Sequence, residues 1–242
     1  MKIMEYNLQS GKNYEEKRER NYDFSLNVIK AEAPDIVGLC EVGKQPSGVF
    51  GAYPLECEVD KYLGEALGMY SYYGISTYFD GFGYGNALLS KHPIKSAKTV
   101  IIPDVPTEER IPGRYYETRS ILAAELDVPG GLTVLVSHFG LVDAERKNAI
   151  DTLMPLISEA KGTVIFMGDL NIGHNDPLLS PVYEKLNEAG RDLGELLLTF
   201  PSDEPKQKID YIFVSKELKI LSQKTIRTRA SDHVPYVVEI DF

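Results

Sequence analysis

No tryptophan occurs in the 242 residues, and cysteine occurs only twice, at Cys40 and Cys57. Two cysteines exclude a disulfide framework, and Cys40 sits in an apolar run where a reduced, buried thiol is the ordinary reading. The four histidines include no pair at the spacing of a zinc-binding helix, and neither cysteine is paired with them, which argues against zinc. Positive charge is also scarce: 26 Lys and Arg face 36 Asp and Glu, a formal charge of -10, which disfavours non-specific attraction to polyanions. A local group of arginines beside a bound cation still attracts phosphate whatever the global sum. No apolar stretch approaches the length of a membrane span, and "MKIMEYNL" lacks the apolar region of a signal peptide, so a soluble, cytoplasmic protein with no membrane partner is expected. Internal repeats, low-complexity tracts and linkers are missing too. With 43% hydrophobic residues the chain can bury one sizeable core, so a single domain over 1–242 is expected, as a monomer.

What is there alternates between two periodicities. "MKIMEYNL" reads as a strand from the first residues. "EEKRERNYDFSLNVIKAEAP" carries Tyr22, Leu26, Ile29 and Ala33 near a 3.6-residue period, and Pro34 ends that helix. "DIVGLCE" reads as a buried strand ending at Glu41, "VDKYLGEALG" as a helix, and "NALLS" as a strand after tyrosine-rich segments. "TRSILAAELDVPGGLTVLVSH" contains two apolar runs around a Pro-Gly-Gly turn, the pattern of an antiparallel hairpin. In "DAERKNAIDTLMPLISEAKG" a helical face is formed by Ala149, Leu153, Leu156 and Ala160, and Pro155 predicts a kink or a nearby end. "TVIFMGD" is a core strand, "PVYEKLNEAG" a short helix, and "KIDYIFVS" and "DHVPYVVEIDF" two further strands. Hairpins mixed with helical crossovers predict an α/β class fold: a four-layered α/β sandwich, two packed mixed β-sheets flanked by helices.

Several of these strands end in a polar residue where burial alone prefers none: Asn7, Glu41, His138, Asp169 with Asn171, Asp210, and Asp232 with His233. Each singly has an ordinary reading as a turn residue or a hydrogen-bonded scaffold group. Together they suggest a site. A hard cation such as Mg²⁺ takes oxygen ligands and keeps several waters, a demand that Glu41 and Asn7 fit. A serine triad is excluded, because Ser231, Asp232 and His233 are consecutive and neighbours on an extended chain point to opposite faces.

The ordered set "YN" (6–7), "CE" (40–41), "ETRS" (117–120), "SH" (137–138), "GDLN" (168–171), "IDYIF" (209–213) and "SDH" (231–233) resembles the endonuclease/exonuclease/phosphatase superfamily, the DNase I-like metal-dependent phosphoesterases. It spans nearly the whole chain. Tyr6, Cys40 and Leu170 replace the Trp, Gln and Phe frequent in the family, and none of these changes removes a catalytic group. The deoxyribonuclease members pair the equivalent of His138 with a carboxylate, for which no sequence candidate stands out.

The resemblance implies in-line attack of water on phosphorus, assisted by Mg²⁺ or Mn²⁺. It assigns Asn7, Glu41 and Asp232 to the metal, Asp169 to the attacking water, and Asn171 to the phosphate or that water. His233, its tautomer fixed by Asp210, donates to a phosphate oxygen, and His138 contacts the phosphate or the departing oxygen. Asn86 and Arg119 are the substrate-binding candidates. Arg119 reads either as a phosphate contact or as a bridge between strand ends, whereas Arg110, Arg114, Arg227 and Arg229 read as solvated surface. Most rings of "MYSYYGISTYFDGFGYGN" read as sheet packing rather than as a stacking platform. The implied substrate is a phosphoester, nucleic acid or small phosphorylated molecule, cleaved by a phosphodiesterase or nuclease. The alternatives are a phosphomonoesterase on a sugar, inositol or nucleotide phosphate, and a non-catalytic binding member of the fold.

Overall fold

The computed structural model describes residues 1–14, 21–43 and 58–242, so Cys57 and the charged start of the first expected helix lie outside the described residues. In chain order the elements are β1 (Lys2–Asn7), α1 (Tyr22–Glu32), β2 (Ile36–Gly43), α2 (Val59–Leu67), β3 (Tyr70–Phe79), β4 (Phe82–Ser90), β5 (Ile94–Ile101), β6 (Ser120–Leu126) and β7 (Leu132–Ser137). They continue with α3 (Asp143–Glu159), β8 (Thr163–Asp169), α4 (Ser180–Lys185), β9 (Leu186–Glu188), α5 (Ala189–Asp192), β10 (Asp210–Ser215), β11 (Lys219–Thr225) and β12 (Tyr236–Asp241).

Two six-stranded sheets result, with orders β11-β12-β1-β2-β4-β3 and β5-β6-β7-β8-β10-β9. Each holds one parallel pair, β1 with β2 and β7 with β8, and each pair is joined by the helical crossover that parallel strands require, α1 and α3. The inner faces meet in one apolar cluster that includes Ile3, Ile165, Met167, Ile212 and Val238. The outer face of the first sheet packs Met4, Leu39 and Val237 against Tyr22, Ile29 and Leu63 of α1 and α2. That of the second packs Leu135, Phe166 and Phe213 against Leu153 and Ile157 of α3 and Val182 of α4. Helix, sheet, sheet and helix are the four expected layers.

Local chemistry accounts for most boundaries. The Asn21 side chain accepts from the Asp23 amide at the start of α1, and Ala33 closes that helix in a left-handed conformation just before Pro34. α3 runs through Pro155, which lies on its exposed side, and its buried face is Ala149, Ile150, Leu153 and Ile157. That face is rotated from the expected one: Leu156 and Ala160 lie at its margin. The segment expected as one short helix at "PVYEKLNEAG" is broken into α4, the edge strand β9 and α5.

The side-chain period of two sets up one polar end. In β1, Ile3 points between the sheets, and so by parity do Glu5 and Asn7; in β8 the same face carries Ile165, Met167 and Asp169, and in β10 Asp210, Ile212 and Val214. The antiparallel register of β10 on β8 sets Asp210 directly opposite Asp169. Gly168 makes the convergence possible. Its φ is +152°, and a Cβ there would stand 1.8 Å from the Ser137 carbonyl oxygen, so only glycine lets β8 pass the end of β7. Beyond it the Phe139 amide donates to the Asp169 carbonyl at 2.9 Å, locking the two strand ends together. Gly168→Ala is expected to lower the unfolding free energy by about 2–4 kcal/mol in urea titration, while Gly173→Ala, at a position with open space, changes it by less than ~0.5 kcal/mol. Equal stabilities of the two variants would contradict this account of the strand crossing.

Candidate active site

Eight chain segments deliver polar groups to this end of the sandwich, and Asp169 lies at their centre. Its carboxylate is 2% exposed. Oδ2 accepts from Asn7 Nδ2 at 3.0 Å, and Oδ1 accepts from the Asn171 backbone amide at 3.0 Å. The Nε2 atoms of His138 and His233 face the same Oδ2 at 3.5 and 3.6 Å. Burial, with Asp210 opposite, pushes the Asp169 carboxyl up to about 7, against the restraining effect of His233.

The two imidazoles differ in what stands behind them. His233 Nδ1 donates to both oxygens of Asp210, at 2.9 and 3.0 Å, and Asp210 is wholly buried. Burial alone would discharge this ring, yet Asp210 and Asp169 together hold it well above the ordinary histidine range. His138 Nδ1 instead meets Arg119 Nη1 at 2.8 Å. Burial, Arg119 and then His233 keep His138 well below the ordinary range. Arg119 forms an ion pair with Glu117 at 2.7 Å, and Tyr115 donates its hydroxyl to the other Glu117 oxygen at 2.7 Å. Of the two readings open for Arg119, its contacts are those of the bridge.

A second cluster opens toward solvent beside the first. Asn7 Nδ2 also donates to Glu41 Oε1 at 3.1 Å, and its Oδ1 accepts from the Gln9 amide. Glu41 lies where the pairing of β2 with β4 slips, and its φ of +54° is rare for a side chain of this kind. A bulge of this sort re-aims a side chain, and here it interrupts the alternation between buried Cys40 and Val42. Gln9 Nε2 donates to Asp232 Oδ2 at 2.7 Å, and burial raises the Asp232 carboxyl. Asn171, also at positive φ (+50°), donates from Nδ2 to the Phe139 carbonyl at 3.1 Å.

Every residue picked from the sequence thus reaches this end, although not all reach its mouth. Asn86 is 1% exposed and spans the sandwich, donating to the Ser120 carbonyl at 3.0 Å, so it lies beneath the mouth. Ser231 donates to the Asn7 carbonyl at 2.7 Å and not to His233, consistent with the exclusion of a serine triad. Cys40 is a buried free thiol donating to the Ser137 carbonyl.

Four residues escaped sequence reasoning. Gln9 lies two positions past Asn7 and links it to Asp232. Glu117, inside the quoted "ETRS", holds Arg119. Glu5 is wholly buried, neither carboxyl oxygen meets a donor among the described residues, and burial together with Asp210 and Asp169 raises it well above the usual carboxylate range. Lys208 is buried against Glu188 at 3.1 Å with its ammonium 3.8 Å from the Tyr236 ring centre. The available signal for Glu5 was parity, two positions before Asn7 on the same face of β1, whereas Lys208 lies two positions before Asp210 and outside β10.

No helix of the described residues is long and apolar enough to cross a membrane. Comparison with solved structures shows the same fold at low identity. A Leptotrichia buccalis endonuclease/exonuclease/phosphatase family protein matches with TM-score 0.74 and 22% identity over 100% of both chains. D. rerio TDP2 complexed with single strand DNA product matches with TM-score 0.71 and 16% identity, over 100% of this chain and 99% of that one. A Bacteroides thetaiotaomicron mannosyl-6-phosphatase matches with TM-score 0.72 and 16% identity over 100% of both. A search of curated proteins finds no match by sequence. The sequence pattern of the Endonuclease/Exonuclease/phosphatase family matches residues 4–233. Since that match covers nearly all of a chain whose motif residues converge at one mouth, the protein belongs to the endonuclease/exonuclease/phosphatase family, whose named activities all break phosphoester bonds.

Proposed function

We propose that the protein is a divalent-metal-dependent hydrolase that directs water in line at the phosphorus of a phosphodiester. The observation that carries the reading is the meeting of Asp169 with two imidazoles and Asn7, next to an oxygen-rich cluster. That cluster fits a hard cation. Glu41, Asp232 and the amide oxygen of Asn7 offer oxygen alone, and Gln9 Oε1 is buried there with no donor among the described residues. Asp169, Asp210 and His233 also lie close enough to share an ion, but His233 and Asp210 are already hydrogen-bonded to each other. Mg²⁺ or Mn²⁺ bound at Glu41, Asp232, Asn7 and Gln9 would neutralise charge growing on the phosphoryl and leaving oxygens.

The chain's own groups divide the remaining work. Asp169, with its raised affinity for a proton, orients the attacking water and accepts a proton from it, and Asn171 holds that water or the phosphate. His233, kept protonated by Asp210, donates to a non-bridging phosphate oxygen. His138 donates toward the departing oxygen. Asn86 and Arg119 support the phosphate-facing strand ends from beneath. Both positive groups of the described site, Arg119 and His233, already face a carboxylate, which suits the single charge of a diester better than the two of a monoester. We propose that the protein acts as a monomer in the cytoplasm.

With Mg²⁺ and a panel of nucleic acid, phosphodiester and phosphomonoester substrates, EDTA is expected to abolish hydrolysis. Asp169→Asn and His233→Ala should each lower turnover by at least ~100-fold without unfolding the protein. Full turnover by either variant would remove its assigned role. The same groups set a pH dependence of stability for the metal-free protein. Asp169, whose proton affinity is raised by folding, keeps a proton that the unfolded chain releases, so its stabilisation fades as pH rises to about 7. His233, raised above the histidine norm, contributes fully below pH ~6.5 and loses that contribution as pH climbs past its folded value. His138, lowered, acts in the opposite sense but only below pH ~6.5. Urea titration is therefore expected to give a stability lower by about 1–3 kcal/mol at pH 8 than at pH 6.5, with Mg²⁺ reducing the difference. A metal-free protein more stable at pH 8 would overturn this balance.

A further inference from the structure

His138 carries a partner arrangement that differs from the carboxylate pairing implied by the deoxyribonuclease members. We propose that Arg119 is a positioning residue that fixes His138 as the neutral tautomer protonated at Nε2, with Glu117 and Tyr115 holding Arg119 in place. His138 then serves as a hydrogen-bond donor from Nε2 and not as an imidazolium acid. This deepens the reading of the site given above and rests on it for its catalytic meaning.

The inference follows from what each group can give. Arg119 Nη1 stands 2.8 Å from His138 Nδ1, and a guanidinium has donors only and keeps its charge at any ordinary pH. Nδ1 must therefore supply the lone pair, which leaves the proton of a neutral ring on Nε2. Protonating both nitrogens would set an N–H against the guanidinium N–H and place two positive charges in contact inside the protein. Asn171 Nδ2, 3.1 Å from Nε2, favours the opposite tautomer, so the two contacts compete. The charged one is shorter and roughly twice as strong as a neutral bond, and Asn171 Nδ2 has a second acceptor in the Phe139 carbonyl at 3.1 Å. The Nε2 proton is then directed to Asp169 Oδ2 at 3.5 Å.

Glu117 completes the device. No carboxylate touches the Nδ1 side of this imidazole among the described residues; Glu117 stands on the far side of Arg119, at 2.7 Å from Nη1. Glu117 cannot drift, because Tyr115 donates to its second oxygen at 2.7 Å and its backbone amide donates to Glu145 at 3.2 Å. Glu145 in turn accepts from the amides of Leu141 and Val142 at the start of α3, three and four residues beyond His138. The inserted arginine reverses the electrostatic effect. A carboxylate on Nδ1, as Asp210 is for His233, holds the ring protonated; an arginine on Nδ1 holds it neutral.

Nitrogen-15 NMR of the histidine rings in metal-free wild-type protein at pH 7 tests this without any substrate, with the His138 signals assigned by their loss in His138→Gln. The expected pattern is an unprotonated Nδ1 and a protonated Nε2. Arg119→Met should shift that pattern toward a mixture of tautomers and lower kcat by about 10- to 100-fold with a smaller change in KM. Arg119→Lys, which still places a cationic donor near Nδ1, should recover part of both. A wild-type His138 protonated at Nδ1, or at both nitrogens, overturns the proposal whatever the variants do. If Arg119→Met raises KM with kcat unchanged, Arg119 is a phosphate contact and the positioning role fails. Should the ring pattern hold in a protein that cleaves no phosphoester, the functional reading fails and the tautomer assignment stands.

Discussion

Asp169 is a carboxylate almost wholly removed from water, and a buried charge is tolerable only where donors replace the lost hydration. Asn7 and the Asn171 amide supply two hydrogen bonds, and two imidazole nitrogens face one of its oxygens. These groups come from β1, from the turn after β8, from the end of β7 and from the segment before β12. Asn7 and His233 come from the other sheet and reach Asp169 only through the register that aligns the two. The site and the sandwich are therefore one construction, with the strand ends held apart by no more than a hydrogen bond.

The interior of the sandwich changes character along its length. Its middle is aliphatic, with Ile3, Ile165, Ile212 and Val238 in mutual contact. One step toward the mouth stand Glu5 and Tyr236, which pair across β1 and β12, with Lys208 buried against the Tyr236 ring. At the mouth stand Asn7, Asp169 with Asp210 opposite it, and His233. This polar layer costs stability, since Glu5 meets no donor among the described residues and Lys208 is stripped of water beside Glu188 and the Tyr236 ring. Above it the imidazoles on either side of Asp169 are set in opposite states by their neighbours: Asp210 behind His233, Arg119 behind His138.

The strands legible in the sequence were those covered on both faces. "DIVGLCE", "TVIFMGD" and "DYIFVS" are continuous apolar runs because helices lie on one side and the other sheet on the other. The strands without a clear pattern, β3, β5, β9 and β11, are the four sheet edges. β5 and β11 are rich in Lys and Ser and half-exposed, as edges that avoid pairing with other chains tend to be. Site residues at strand tips stood out because a polar group after an apolar run is locally incongruous. Gln9 and Glu117 did not, because each lies in a polar segment where amides and carboxylates are common. Glu5 shows only the parity of β1, and Lys208 is buried by Glu188 and Tyr236 from distant segments, a burial that the sequence does not display. The partner of His138 was hidden for another reason: an arginine replaces the carboxylate that the resemblance implied.

Two functions lie on either side of Asn7 in the proposed site: oxygen ligands toward Glu41 and Asp232, and proton-handling groups toward Asp169. A crystal soaked in Mn²⁺ and measured for anomalous scattering tests that division directly. It predicts an anomalous peak beside Glu41 and Asp232, with His233 still hydrogen-bonded to Asp210. A peak seated on Asp169, Asp210 and His233, with that hydrogen bond broken, would contradict it.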